Sequence, residues 1–136
     1  MTEGISVSTK GHTDIIDITS KVQSVVKKSK VKGGVANVFV SGSTAGLTTV
    51  EFEPGLMSDL TEAFQRIAPE GPTYAHDSRW GDGNGYAHVR SSLLGCSLSI
   101  PIIEGELALG TWQQIVLIDF DNRARERQVI VQAFAE

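Results

Sequence analysis

The chain is 136 residues long, 40% hydrophobic and 21% charged, with a net charge of −4 at pH 7. That length suits a single domain, taken as 1–136, which can bury a core without disulfides or a structural metal. The acidic balance excludes a general nucleic-acid binder, whose phosphate contacts need a basic surface, and leaves room for a small local anion site.

Taken along the chain, residues 4–9 (Gly-Ile-Ser-Val-Ser-Thr) alternate apolar and polar like a half-buried strand, and 12–18 repeat the pattern after Gly11. Thr19 suits a helix N-cap, with Val22, Val25 and Val26 at helical spacing between Ser20 and Ser29. Lys27, Lys28, Lys30 and Lys32 fall at and beyond the end of that helix, where cations suit its dipole. Gly33-Gly34 closes the unit. Residues 35–40 read as a buried strand, 41–46 as a hydroxyl-rich loop and 47–52 as another strand. Pro54 opens a second helix that carries Leu56, Leu60, Phe64 and Ile67 on one face, with Pro69 beyond its end.

Residues 69–86 are Gly-rich and polar and read as a long irregular loop, of a length that is commonly functional. A short helix is expected over 87–94, closed by Gly95, followed by strands near 97–103, 106–109 and 112–120. Asp121-Asn122 reads as a hairpin turn into a last strand, 123–134. Strands and helices do not alternate steadily. The order favours an α+β fold with a mainly antiparallel, β-sandwich-like core, two longer helices and one short helix.

One cysteine, Cys96, cannot form an intrachain disulfide, which fits a reducing interior, and it reads as a small packing residue more readily than as a nucleophile. No charged-then-apolar leader pattern and no membrane-length apolar run is present, so the expectation is a cytoplasmic protein without a membrane partner.

The loop Gly81-Asp82-Gly83-Asn84-Gly85 leads into the helix that holds His88. Backbone N–H groups and a positive helix end there suit a phosphate, and the same residues also suit an ordinary turn capped by Asn84 or Gly85. No Gly-Lys-Ser or Gly-Lys-Thr follows, so this is not a nucleotide-binding loop. His76 and His88 flank the polar stretch. Converging imidazoles can bind zinc, move a proton or do both, while each alone also reads as structural. Asp77, Asp82, Glu51 or a water would have to complete a zinc site. His12 stands apart and reads as structural.

Ser41, Ser43, Thr44, Thr48 and Thr49 offer hydroxyls for phosphate oxygens or for a plain turn. Glu51 and Glu53 would share a strand face, as base, ligand or solvated pair. Arg123, Arg125 and Arg127 are also two apart. They could line one strand face and grip a phosphate or carboxylate, or balance Asp119, Asp121 and Glu126. Gly110-Thr111-Trp112-Gln113 would open a strand with a hydroxyl, a large ring and an amide close together.

Several of these motifs in one order resemble the YjbQ-type family from about residue 5 to the C-terminus. They are the hydroxyl loop, Glu51, Glu53-Pro54-Gly55-Leu56, Asp59, Tyr74 and His76, then Gly83-Asn84-Gly85 with Ala87-His88. Ser91 to Gly95, the Gly-Thr-Trp-Gln segment and Asp121-Asn122-Arg123 complete the series. Some members are called secondary thiamine-phosphate synthases. The resemblance implies an α+β fold, a homotrimer with a pocket near the subunit boundary, and a thiamine-phosphate synthase activity. That activity joins a hydroxymethylpyrimidine diphosphate to a thiazole phosphate and releases diphosphate.

The family-like positions are Glu51, Asp59, His76, Asn84, His88, Thr111, Trp112, Gln113 and Arg123. The resemblance also implies a divalent metal, zinc first, on the histidines. Gly42 stands where many members carry a His, which reduces a three-His set to His76 and His88. The expectation is a small-molecule enzyme acting on a phosphorylated substrate. His76, His88, Glu51 and Asp59 would be its catalytic groups, and Ser43, Thr44, Asn84, Thr111, Trp112, Gln113 and Arg123 would hold the substrate. The alternatives are a non-catalytic homotrimer that binds a phosphorylated metabolite or a metal, and a trimer whose pocket is vestigial.

Overall fold

The computed structural model describes residues 1–71 and 73–136. In chain order the elements are β1 (Thr2–Thr9), β2 (Asp14–Asp17), α1 (Thr19–Ser29), β3 (Gly33–Ser41), β4 (Ala45–Val50) and α2 (Pro54–Ile67). Then follow α3 (Ala75–Trp80), α4 (Gly85–Leu94), β5 (Ser97–Ile103), β6 (Glu106–Leu107), β7 (Gln114–Asp119) and β8 (Arg125–Ala135). The α+β class and the antiparallel sandwich-like core are as expected. A five-stranded sheet, in the order β1-β8-β3-β5-β6, faces a three-stranded sheet, β2-β7-β4, and every pairing is antiparallel.

β7 explains the layering. Its residues Ile115 to Asp119 are all buried. Successive side chains of a strand point to opposite faces. Ile115 and Leu117 pack with Val38, Val40, Val129 and Val131 between the sheets, joined by Val22, Val25 and Val26 of α1. Val116, Ile118 and, just beyond the strand, Phe120 pack on the other side with Phe64 of α2 and Tyr86 and Ala87 of α4. A strand covered on both faces therefore reads as one apolar run. The helices α2 to α4 form a third layer over the smaller sheet, and it is this layer that carries the histidines.

The structure corrects several expectations. The stretch 69–86 is not one irregular loop. It contains α3, which ends on Gly81 at φ 74, and the first residues of α4, while position 72 lies outside the described residues. Two short helices therefore accompany the two longer ones. β7 and β8 are not a hairpin, because they belong to different sheets. Residues 120–124 carry the chain across a corner, which the buried Asp119 and Asp121 carboxylates hold. β4 stops at Val50, so Glu51 and Glu53 share no strand face. The Glu53 side chain instead accepts hydrogen bonds from the Gly55 and Leu56 N–H groups and caps α2, with Pro54 in its first turn. Thr111 and Trp112 lie in a turn before β7, not in the strand. Cys96 is exposed rather than packed. No helix among the described residues is long and apolar enough to cross a membrane.

Candidate functional site

The site begins with a close approach of two helices. The Gly85 N–H donates to Asp77 Oδ1 at 2.8 Å, so a side chain of α3 caps the start of α4. A Cβ on Gly85 would lie 2.5 Å from Tyr74 Cβ, which is why this position holds glycine. With the helices that close, the His76 and His88 rings meet at a centroid distance of 4.3 Å and an interplanar angle of 39°. His76 Nδ1 lies 3.3 Å from Asp77 Oδ1. Burial lowers the pKa of His88 below its ordinary 6.5, and the neighbouring His76 lowers it further. Burial raises the Asp77 pKa, but the Gly85 N–H and His76 outweigh it and leave the carboxyl below the ordinary 3.8.

One helical turn before His88 stands Asn84, which is 6% exposed. Its Nδ2 donates to Asp121 Oδ1 at 3.2 Å, while its Oδ1 is buried without a hydrogen-bond partner. Asp121 is fully buried. It accepts from Thr44 Oγ1 at 2.9 Å and from Arg125 Nε at 3.0 Å. Behind it, Arg127 donates to both oxygens of Asp119, at 2.7 and 2.9 Å, and to Thr44 Oγ1 at 2.6 Å. Burial raises the pKa of each of these carboxyls, but the hydrogen bonds they accept win, and both lie below the ordinary 3.8. The arginine stripe thus divides. Arg127 is buried in the corner, Arg125 leans on Asp121, and Arg123 is exposed ahead of the strand.

Arg123, Arg125, Asn122, Asn84 and Asp82 line a cleft of about 310 Å³. Asn122 Nδ2 donates to the Asp82 carbonyl at 2.9 Å and ties the glycine loop to the sheet corner.

His76, His88, Asn84, Thr44 and Arg123 therefore gather at one end of the smaller sheet. Thr44 is buried and occupied by Asp121 and Arg127, whereas Ser43 beside it is exposed. Thr111, Trp112, Gln113 and Glu51 do not join them. They sit at the other end of β7, a strand on the order of 17 Å long at the usual rise. There Trp112 is 72% exposed and shares a cleft of about 350 Å³ with Glu51, Phe52 and Asp17. Gln113 donates to Thr49 Oγ1 at 2.9 Å. Asp59 is exposed on α2 and lines neither cleft.

Asp121 and Asp77 organise this site; Asp77 was expected only as a possible zinc ligand and Asp121 only as a charge partner of the arginines, not as the residues that hold the helices and the corner. The sequence did carry a signal for them. Asp77 adjoins His76, and Asp119 and Asp121 are acidic residues ending an otherwise apolar run.

A resident metal can be tested against the donors present. Among the described residues no three His, Cys, Asp or Glu side chains converge as a metal-binding group. One chain thus offers fewer than the three protein ligands a catalytic zinc takes. Gly42 has φ 139, and a Cβ there would lie 2.9 Å from Arg127 Nη1, so this backbone does not hold a place for the family histidine. The donor set of one chain does not fit zinc.

The family described as UPF0047 protein YjbQ-like matches residues 3–136. The chain belongs to that family. Among its UPF0047 relatives, the protein of Archaeoglobus fulgidus is 38% identical over 129 residues, covering 95% of this chain and 98% of that one. The protein of a Synechocystis strain is 38% identical over 136 residues, covering 98% and 91%. The fold is shared with solved structures of the same kind. A YbjQ-like protein of unknown function from Sulfolobus solfataricus superposes with a TM-score of 0.94 at 34% identity, covering 100% of this chain and 97% of that one. A hypothetical protein from Aeropyrum pernix gives 0.92 at 32% identity, covering 100% and 99%. Family membership fixes the fold and leaves the chemistry to be argued from the cleft.

Proposed function

We propose that the protein is a small-molecule enzyme acting on a phosphorylated substrate, with the cleft between the glycine loop before α4 and the sheet corner at Arg123 as its site. One observation carries this reading: the His76–His88 pair is fixed one helical turn from a cleft whose exposed cation is Arg123. Arg125 and Arg127 already face Asp121 and Asp119, which leaves Arg123 to meet an incoming anion. A guanidinium presents a planar fork that matches phosphate oxygens. His88 is the proton-transfer group, and a neutral imidazole can both take and return a proton. His76 and Asp77 are positioning residues that hold the His88 ring. Thr44 stabilises the corner, and its hydroxyl is not free for substrate.

The reaction to try first is the one the family resemblance implies, the joining of a hydroxymethylpyrimidine diphosphate to a thiazole phosphate. A C–N bond forms as a C–O bond breaks, and diphosphate leaves with the electron pair, its departing oxygen taking a proton from the His88 ring, which solvent then restores. Arg123 would steady the departing charge. Thiamine phosphate formation by the full chain is expected to fall by roughly 10²- to 10⁴-fold in His88→Ala, the usual range for losing a general acid or base. Equal turnover in the variant contradicts the assignment. Diphosphate binding without product from either protein selects the non-catalytic alternative, which the loss of the family histidine at Gly42 favours. Zinc near one per chain in the purified protein, lost in both His76→Ala and His88→Ala, would overturn the metal-free version.

A further inference from the structure

A larger cleft, of about 670 Å³, lies on the other side of α4, between α2 and the turn before β2. It shares no lining residue with the cleft beside the histidines. At its floor is Arg90, only 2% exposed. Its guanidinium donates to the Ala68 carbonyl at 2.9 Å, to Thr13 Oγ1 at 2.8 Å and to the Gln65 side-chain oxygen at 2.9 Å. It also lies 4.9 Å from the centre of the Tyr86 ring. All these partners are neutral, and Arg90 forms no ion pair among the described residues. Glu70, a wall of the same cleft, is the carboxylate whose charge acts on Arg90 without bonding to it, and a buried cation is costly unless it is fully paired. Arginine stays charged and has five N–H groups, of which three are engaged.

The backbone next to Arg90 is strained. Gly11, His12 and Thr13 have φ values of 78, 55 and 62°, three left-handed residues in a row. Thr13 is β-branched and disfavours that region. Such strain persists where the surroundings impose it and recurs at ligand sites. Here the turn is held by the His12 N–H on the Asp121 carbonyl at 2.7 Å and by Arg90 on Thr13. The result sets His12 at the mouth of the cleft, 3.5 Å from Glu70 Oε1.

The walls divide by charge. Ile15 and Met57 give apolar surface, Arg90 supplies positive charge at the floor, and Glu62 and Glu70 supply negative charge from α2 and the segment after it. We propose that this cleft is a second binding site, for a ligand of the α-amino-acid class with an apolar side chain. Its carboxylate meets the free N–H groups of Arg90, its ammonium meets Glu70 or Glu62, and its side chain lies on Ile15 and Met57. A simple anion is disfavoured by the two glutamates, and a simple amine by Arg90.

The test is thermal denaturation of the full chain with each of the twenty L-amino acids. Isothermal titration then follows with L-leucine, 4-methylpentanoate and isopentylamine. A saturable rise in melting temperature with leucine or methionine is expected, and each half-ligand should bind at least about tenfold more weakly, the loss of one charge-assisted contact. Arg90→Lys removes bonds to Ala68, Thr13 and Gln65 that hold the fold, so Glu62→Gln and Glu70→Gln are the deciding variants. At least one should weaken leucine binding about tenfold, while His88→Ala should leave it unchanged. No shift with any amino acid overturns the proposal. So does binding of 4-methylpentanoate as tight as leucine, or full affinity in both glutamine variants.

Discussion

Arg127 holds the corner at which the chain leaves one sheet for the other. It bonds both oxygens of the fully buried Asp119, and Thr9 Oγ1 donates to the same carboxylate at 2.5 Å. Removing one partner strands the other, so Arg127→Met is expected to cost about 3–5 kcal/mol in urea denaturation at pH 7. The pH dependence has a definite sign. Asp119 titrates below 3.8 in the folded chain, so its contribution is present above 3.8 and is lost as pH falls through the folded value. The gap between wild type and variant should narrow toward pH 3, and a gap that stays constant contradicts the assignment. The sequence shows three arginines two residues apart but not where the strand begins. Parity with the inward Val129 and Val131 buries Arg127, while Arg123 precedes the strand and stays exposed. Only the tertiary pairing separates the structural arginine from the exposed one.

At the scale of elements, the approach of α3 to α4 decides whether the histidines meet. Gly85→Ala would drive a methyl into Tyr74 and push α3 away. The expected cost is about 1–3 kcal/mol of stability, with a larger loss of turnover than of folded protein, because His76 no longer holds the His88 ring. Circular dichroism melts beside the activity assay check this. Unchanged turnover contradicts the role given to α3. This element was not legible in the sequence. Six residues are too few to show a period, and helices that short depend on packing and caps, here Asp77 on Gly85 and Gly81 at the end. α1 and α2 were legible because their apolar faces run over several turns. The hairpin at Asp121 was misread for a different reason. A turn between two apolar runs looks the same whether the second strand pairs with the first or crosses to another sheet, and here buried carboxylates direct the crossing.

For the whole molecule, the order of family motifs predicted the architecture well but not which motifs meet. The histidine end and the Trp112 end of β7 are separated within one chain. We propose a homotrimer in which neighbouring subunits bring such surfaces to a common boundary, as the family resemblance implies. The outer face of the larger sheet supports self-association. Val35 pairs with Phe134 and Phe39 with Ile130 across that face, and Phe39 and Phe134 are 37% and 50% exposed. Light scattering of the full chain should give three times the chain mass, and Phe39→Lys with Phe134→Lys should reduce it toward one. A monomer at micromolar concentration contradicts the trimer.

The claim that an anion binds between Arg123 and the histidine pair can be measured directly, by calorimetric titration of metal-depleted full chain with inorganic diphosphate beside Arg123→Ala. The account predicts one saturable site per chain, weakened about tenfold or more in the variant by the loss of a charge-assisted contact. No saturable heat, or equal affinity in the two proteins, would contradict it.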